Sequence, residues 1–95
     1  MYYKKTDYKL LGYEKSFKKN KMYNALLQNH KTGKIVRVPF GSTLYKNFKD
    51  TTGLNNYPHL IHGDEERRKR FRKRMKGYLR TGYYNPAWFS YHILW

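Results

Sequence analysis

Residues 21–40 read KMYNALLQNHKTGKIVRVPF, two alternating runs separated by turn chemistry. In the first run Met22, Asn24, Leu26 and Gln28 fall on one side and Tyr23, Ala25 and Leu27 on the other. In the second, Ile35, Arg37 and Pro39 oppose Val36, Val38 and Phe40. A period of two marks a strand, because successive side chains leave opposite faces of a pleated ribbon. Between the runs NHKTGK, residues 29–34, supplies polar turn formers and Gly33, which takes a positive φ without penalty. The stretch therefore predicts a β-hairpin. Pro39 has no N–H to give a neighbouring strand, so its strand belongs at a sheet edge or is ending, and Gly41 closes it.

Downstream, residues 64–80 read DEERRKRFRKRMKGYLR. Phe71, Met75, Tyr78 and Leu79 recur at i, i+4, i+7 and i+8, one narrow face of a 3.6-residue helix. Asp64, Glu65 and Glu66 stand where the helix dipole favours acids, and the bases follow them. Gly63 or Asp64 suits the N-cap, and Gly77 loosens the last turn. Glu65–Lys69 and Glu66–Arg70 have the favoured i,i+4 order, each contributing roughly 0.2–0.5 kcal/mol. A hairpin followed by this helix predicts an α+β fold.

The remaining segments are less regular. Residues 1–8 form a basic, tyrosine-rich arm, and residues 9–20 are ambiguous between a short interrupted strand and a turn. The arm is set at residues 1–20 and a single small α+β domain at residues 21–95. Ser42 can cap a short helical turn carrying Leu44, Tyr45 and Phe48, after which Gly53, Asn55 and Asn56 break structure. Tyr57 to Ile61 should pack beside the basic helix. A Gly-containing turn at residues 81–84 precedes NPAWFSYHILW, where Asn85 at the N-cap and Pro86 at N1 start a short aromatic helix. Trp88, His92 and Trp95 would share one side of it, Phe89 and Ile93 another.

Composition sharpens this picture. Ninety-five residues make one small domain whose own core is thin. The 21 Lys and Arg exceed the six Asp and Glu by 15 charges. The excess is uneven: residues 67–95 hold nine bases and no acid. Such self-repulsion calls for a polyanion or an acidic protein surface as counter-charge. Eleven Tyr, five Phe and two Trp are an excess of rings that are half apolar and half wet, suited to interfaces as well as cores. No cysteine is present to form a disulfide or a thiolate metal site. No apolar run approaches the roughly 20 residues of a membrane span, and MYYKKTDYKLL lacks the apolar stretch of a secretion signal.

In order along the chain stand Phe40-Gly41, His62 with Asp64, Glu66-Arg67-Arg68, Arg70-Phe71, Arg74, Asn85-Pro86 and Ile93-Leu94-Trp95. This order resembles a family of small basic proteins of unknown function encoded by giant and other large DNA viruses and by phages. That family has an FG step ending a hairpin, an H-x-D-x-E-R-R-x-R-[YF]-x-x-R core, a D/N-P step and a closing I-L-W. The likeness covers residues 21–95. It departs in the longer loop at residues 42–57 and in Met75, where the family has His. The resemblance implies a viral or phage source, without a catalytic activity or a mechanism.

A lone charge run is usually a solvated face, but five arginines among the first eight bases favour planar, bidentate contacts to phosphate or carboxylate. The expected polyanion-binding residues are Arg67, Arg68, Lys69, Arg70, Arg72, Lys73, Arg74, Lys76 and Arg80, reading backbone and not sequence. The expected protein-interface residues are Tyr2, Tyr3, Tyr83, Tyr84, Trp88, Phe89, Tyr91 and Trp95. A terminal helix apolar on most sides exceeds what a small core needs, so part of it should bury in another chain. His59 and His62 stand three apart without further ligands, and helix capping accounts for Asp64, so no metal is expected. No nucleophile elbow, phosphate-binding loop or His/Cys pairing points to catalysis. The expectation is a non-enzymatic, capsid-associated minor structural protein of a large viral or phage assembly, without cofactor, membrane or small-molecule substrate. It would dock on viral structural protein by its aromatics, with nucleic acid held at the basic helix, in the virion or the host cytoplasm or nucleus and not secreted. The alternative is a soluble, sequence-independent nucleic-acid-binding protein of viral origin.

Overall fold

In the computed structural model, which describes residues 2–95, the elements follow in the order β1 (Tyr3–Lys4), β2 (Tyr8–Lys15), β3 (Lys21–Asn29), β4 (Ile35–Ser42), α1 (Glu65–Met75), β5 (Tyr83–Tyr84) and α2 (Pro86–Phe89). Met1, the first residue of the expected arm, lies outside the described residues. The architecture is α+β, with two antiparallel sheets and two helices. Short 3₁₀ turns occupy Pro58–Leu60 and Lys76–Tyr78, and a π-helical turn, Ser90–Leu94, continues α2.

The hairpin forms between β3 and β4, in a register that sets Tyr23 opposite Phe40, Ala25 opposite Val38 and Leu27 opposite Val36. Its turn is built by Asn29, whose Oδ1 accepts from the N–H groups of Lys31 and Thr32. Pro39 lies in β4, an edge strand of a sheet ordered β2-β3-β4, where its missing N–H costs no ladder bond.

The expected boundary between residues 20 and 21 has no counterpart in this sheet. Tyr8–Lys15 is its third strand, antiparallel to β3, and a bulge between Leu10 and Gly12 inserts Leu11 as an unpaired extra residue. That bulge is what breaks the sequence alternation. The start of the chain is also tied down: Tyr3 pairs with Tyr84 and Lys4 with Tyr83, so the expected turn at residues 81–84 ends in a strand.

A third strand widens the apolar face. Phe89 sits on it fully buried, its ring 5.4 Å from Phe40 and 6.3 Å from Tyr13, with Tyr84 stacked at 5.5 Å. Met22, Tyr23, Ala25, Leu27, Val38, Leu94 and Trp95 complete the core. Asn85 caps α2 as its sequence requires: Oδ1 accepts from the Trp88 N–H at 2.7 Å, and Nδ2 donates to the Tyr78 carbonyl at 3.0 Å. The π-helical turn then rotates the chain out of α-helical phase. Trp88 and His92 remain neighbours at 4.6 Å, whereas Trp95 turns into the core instead of sharing their side.

Residues 43–57 do not form the expected helical turn. Ser42 Oγ accepts only the Leu44 N–H, and the following chain lies across the C-terminal segment. Phe48 and Lys49 donate to the Leu94 carbonyl, Thr51 donates to that of Ile93, and Asn47 bridges in parallel to Ile61. Asn47 is the buried junction: its Oδ1 accepts from Trp95 Nε1 at 3.1 Å and its Nδ2 reaches the Met22 sulfur at 3.0 Å.

Candidate polyanion interface

Asp64 caps α1, its Oδ1 accepting from the N–H groups of Glu66 and Arg67. These bonds hold its carboxyl below the usual carboxylate range. The acids pair one turn ahead, Asp64 with Arg67 at 3.7 Å and Glu65 with Arg68 at 3.6 Å. The expected Glu65–Lys69 and Glu66–Arg70 pairs are not among the ion pairs of the described residues.

No residue of α1 is buried, and the face it turns inward differs from the expected stripe. Arg68, Phe71, Arg72 and Met75 carry it, while Tyr78 is 61% exposed because the α-helix gives way to a 3₁₀ turn at Lys76. Phe71 stacks on Trp95, with centroids 4.1 Å apart and planes 9° apart. Arg68 Nε donates to the main-chain oxygen of Trp95 at 2.7 Å, and Arg72 Nη1 to the same oxygen at 3.3 Å. Arg68 also lies 4.9 Å from the Phe48 ring and Arg72 4.2 Å from Tyr91. Two of the nine expected polyanion ligands thus fasten the helix to its own chain. Arg67, Lys69, Arg70, Lys73 and Arg74 are exposed on α1; Lys76 and Arg80 are exposed beyond its end.

A cleft of about 720 Å³ opens between α1 and the end of the hairpin. Arg67, Arg70 and Arg74 line its helical wall; Lys21 and Lys46 line it from β3 and the loop after β4. Phe71, Met75 and Trp95 give it an apolar floor, and among the described residues no Asp or Glu side chain lines it. Among the described residues, Lys21, Lys46, Arg70 and Arg74 make no ion pair. Lys21 and Lys46 lie far from the arginine-rich run in sequence, Lys21 in the basic turn KKNK at residues 18–21, and only folding brings them to the helix.

The expected aromatic interface divides. Phe89 is fully buried and Trp95 is 8% exposed, so both belong to the chain's own core; Tyr13 of the third strand helps cover Phe89, while Phe71, His62 and Asn47 cover Trp95. Tyr2 is exposed, and Tyr3, Tyr83, Tyr84, Trp88 and Tyr91 are half-buried. Cations interleave with these rings: Lys5 lies 4.6 Å from Trp88, and Arg80 lies 4.9 Å from Tyr2. A second cleft of about 470 Å³ follows, lined by Lys5, Lys76, Arg80, Trp88 and His92. Burial, then Arg72, Lys5 and Lys49, depress the His92 pKa.

His62 packs between Phe48 and Trp95, and its Nδ1 accepts from the Asp64 N–H at 2.8 Å. Burial and then Arg67 hold its pKa below the ordinary value, with Lys46 adding to them against the opposing pull of Asp64. Among the described residues, no group of three or more His, Cys, Asp or Glu is placed to hold a metal ion. Nor is any helix among them long and apolar enough to cross a membrane. No protein-family model, curated protein or solved structure matches the chain.

Proposed function

We propose that the protein is a non-enzymatic, minor structural component of a large viral or phage assembly, which holds the phosphate backbone of nucleic acid on the exposed side of α1. The observation that carries the nucleic-acid part is the cleft that Arg67, Arg70 and Arg74 line together with Lys21 and Lys46, with no Asp or Glu side chain among the described residues lining it. Arginine forks suit phosphate oxygens, and contacts of this kind are independent of sequence. The viral part is supported by the resemblance of residues 21–95 to the small basic proteins of large DNA viruses. Of the expected interface rings, Tyr2, Tyr3, Tyr83, Tyr84, Trp88 and Tyr91 keep exposed area for a protein neighbour.

A second reading, a soluble sequence-independent nucleic-acid-binding protein, is favoured by the burial of Phe89 and Trp95. A chain that satisfies its largest apolar groups internally has less need of a partner to fold against. The affinity of the purified protein for a duplex, measured across salt concentrations, tests the part shared by both readings. The logarithmic slope should be steep, about −0.9 for each phosphate neutralised, and reversing Arg67, Arg70 and Arg74 together should flatten it. A flat slope for the native protein would overturn both. Quantitative mass spectrometry of purified virions separates them, since a structural component must be present there in fixed proportion.

A further inference from the structure

We infer that the cleft beside α1 is a nucleotide slot that takes one residue of single-stranded nucleic acid, phosphate at its rim and base inside. This rests on the polyanion reading above and names the form of polyanion.

The cleft combines two chemistries that a plain phosphate-binding ridge does not need. Its rim carries five cations drawn from three parts of the chain, and Lys21, Lys46, Arg70 and Arg74 have no ion-pair partner among the described residues. Its floor is apolar, built by Phe71, Met75 and Trp95. On its lip the loop after β4 presents Tyr45, 72% exposed, next in sequence to Lys46. An exposed tyrosine beside a cation is the pairing that stacks an unpaired base while holding its phosphate.

Charge and shape decide among occupants. The cleft's volume of about 720 Å³ lies within the roughly 300–1,000 Å³ of small-molecule sites, ample for a nucleotide. In a duplex each base is covered on both faces by its neighbours, so it has none to offer Tyr45 and its backbone meets only the rim. Inorganic phosphate would leave the apolar floor unused. An acidic peptide could neutralise the rim but brings no obligatory ring for the lip. An unpaired nucleotide uses all three parts.

Fluorescence anisotropy with labelled oligothymidylate, an abasic strand of equal length and a hairpin duplex tests the slot. Tyr45→Ala and the double variant Arg70→Glu/Arg74→Glu are compared with the native protein, with polyglutamate as competitor. All the substituted residues are exposed, and far-UV circular dichroism checks that the variants fold. Tyr45→Ala should weaken oligothymidylate binding about 10-fold and leave duplex binding unchanged. The native protein should bind the abasic strand as weakly as the variant binds oligothymidylate. Polyglutamate should displace the strand poorly at equal charge. If Tyr45→Ala has no effect, or the duplex binds as tightly as the single strand, the slot is overturned. Effective displacement by polyglutamate overturns it in favour of an acidic protein surface. Loss of all binding in the double variant with no effect of Tyr45→Ala removes the slot but leaves the polyanion reading standing. A double variant that binds everything like the native protein removes both.

Discussion

Arg68 donates through Nε to the main-chain oxygen of Trp95 at 2.7 Å, while the ring of that tryptophan lies flat on Phe71, one helical turn from Arg68. This relationship explains how a helix with no buried residue is held in place. Five of its first six bases, Arg67 to Arg70 and Arg72, crowd and repel one another within two helical turns. The helix is fixed because two of them, Arg68 and Arg72, turn inward onto one main-chain oxygen and two aromatic faces. Arg67 pairs with Asp64, and Lys69 and Arg70 are left for an external counter-charge.

Arginines one turn apart should therefore fail in different assays. Arg68→Ala removes a charge-assisted hydrogen bond at a part-buried oxygen and should lower the unfolding free energy by about 1.5–3 kcal/mol. Arg70→Ala, on an exposed side chain with no ion pair among the described residues, should change stability by no more than about 0.5 kcal/mol. It should instead reduce the magnitude of the salt slope of polyanion binding by about one unit. Urea unfolding beside anisotropy titrations reads both quantities. Equal stability loss in the two variants would refute the division of labour.

Gly41 should be irreplaceable for two additive reasons. Its φ is +75°, and a Cβ there would sit 2.7 Å from Leu94 Cδ1 and 3.1 Å from the Met22 sulfur. Gly33 shares the conformation, with φ at +71°, but nothing lies within 4 Å of its missing Cβ. Gly33→Ala should thus cost only the left-handed backbone term, about 1–2 kcal/mol. Gly41→Ala should cost that and a further 1–3 kcal/mol or so of overpacking. The comparison by thermal or urea unfolding isolates the contact with the C-terminal segment. Similar losses at both sites would show that Leu94 moves aside freely.

Tyr23 links the central strand to the long loop. Its hydroxyl donates to Asp50 Oδ2 at 2.5 Å and accepts from the Asn56 N–H at 3.1 Å. Tyr23→Phe strands both partners and should cost about 1–3 kcal/mol. Burial, followed by the hydrogen bond to Asp50, pushes the phenol pKa up to about 12. Its unfolded value is about 10. Below the unfolded value both states keep the proton and the stabilisation is complete. Between the two values only the folded state keeps it, so stability falls as pH rises from about 10 through about 12. Deprotonating lysines act in the same range, so the informative quantity is the difference between native and Tyr23→Phe unfolding curves. That difference should shrink with rising pH; a constant difference would contradict the assignment.

What could be read in the sequence was what local chemistry dictates. The hairpin, the Asp64 and Asn85 caps and the edge position of Pro39 follow from neighbours a few residues apart, and each is present. The third strand was obscured because the bulge at Leu11 shifts the alternation by one residue midway. The inward face of α1 was misassigned because arginine reads as a solvent residue, although a guanidinium can lie on a ring and reach a carbonyl beyond it. Trp95 was placed with Trp88 by counting α-helical turns, and the π-helical turn between them breaks that count. Nothing local ties Lys21, in the basic turn at residues 18–21, or Lys46 to α1, so the cleft's second wall is legible only in three dimensions.

His62 joins the cleft to the stability of the fold, and its titration should report on both. Nδ1 accepts from the Asp64 N–H, which leaves the ring proton on Nε2, a buried atom with no hydrogen-bond partner among the described residues. Protonating Nδ1 would set two donors face to face at the start of α1. It would also add a cation near Arg67 on the helix and Lys46 on the loop, against which only Asp64 pulls the other way. The folded pKa therefore lies below the unfolded value of about 6.5. Above that value both states are neutral and the contribution is complete. As pH falls below it the unfolded chain takes up a proton that the folded one refuses, and stability declines. His92 is depressed in the same direction, so the His62 share is isolated by His62→Phe, which retains a ring against Phe48 and Trp95. The variant should be less stable than the native protein at pH 7.5, lacking the acceptor for Asp64, and the gap should narrow toward pH 5. In an NMR titration the His62 midpoint should fall below 6.5 in the free protein. It should rise when a polyanion neutralises Arg67 and Lys46, because the charges that oppose the imidazolium are then screened at the cleft itself. A midpoint that stays fixed on saturation with nucleic acid would mean that the polyanion binds elsewhere on α1.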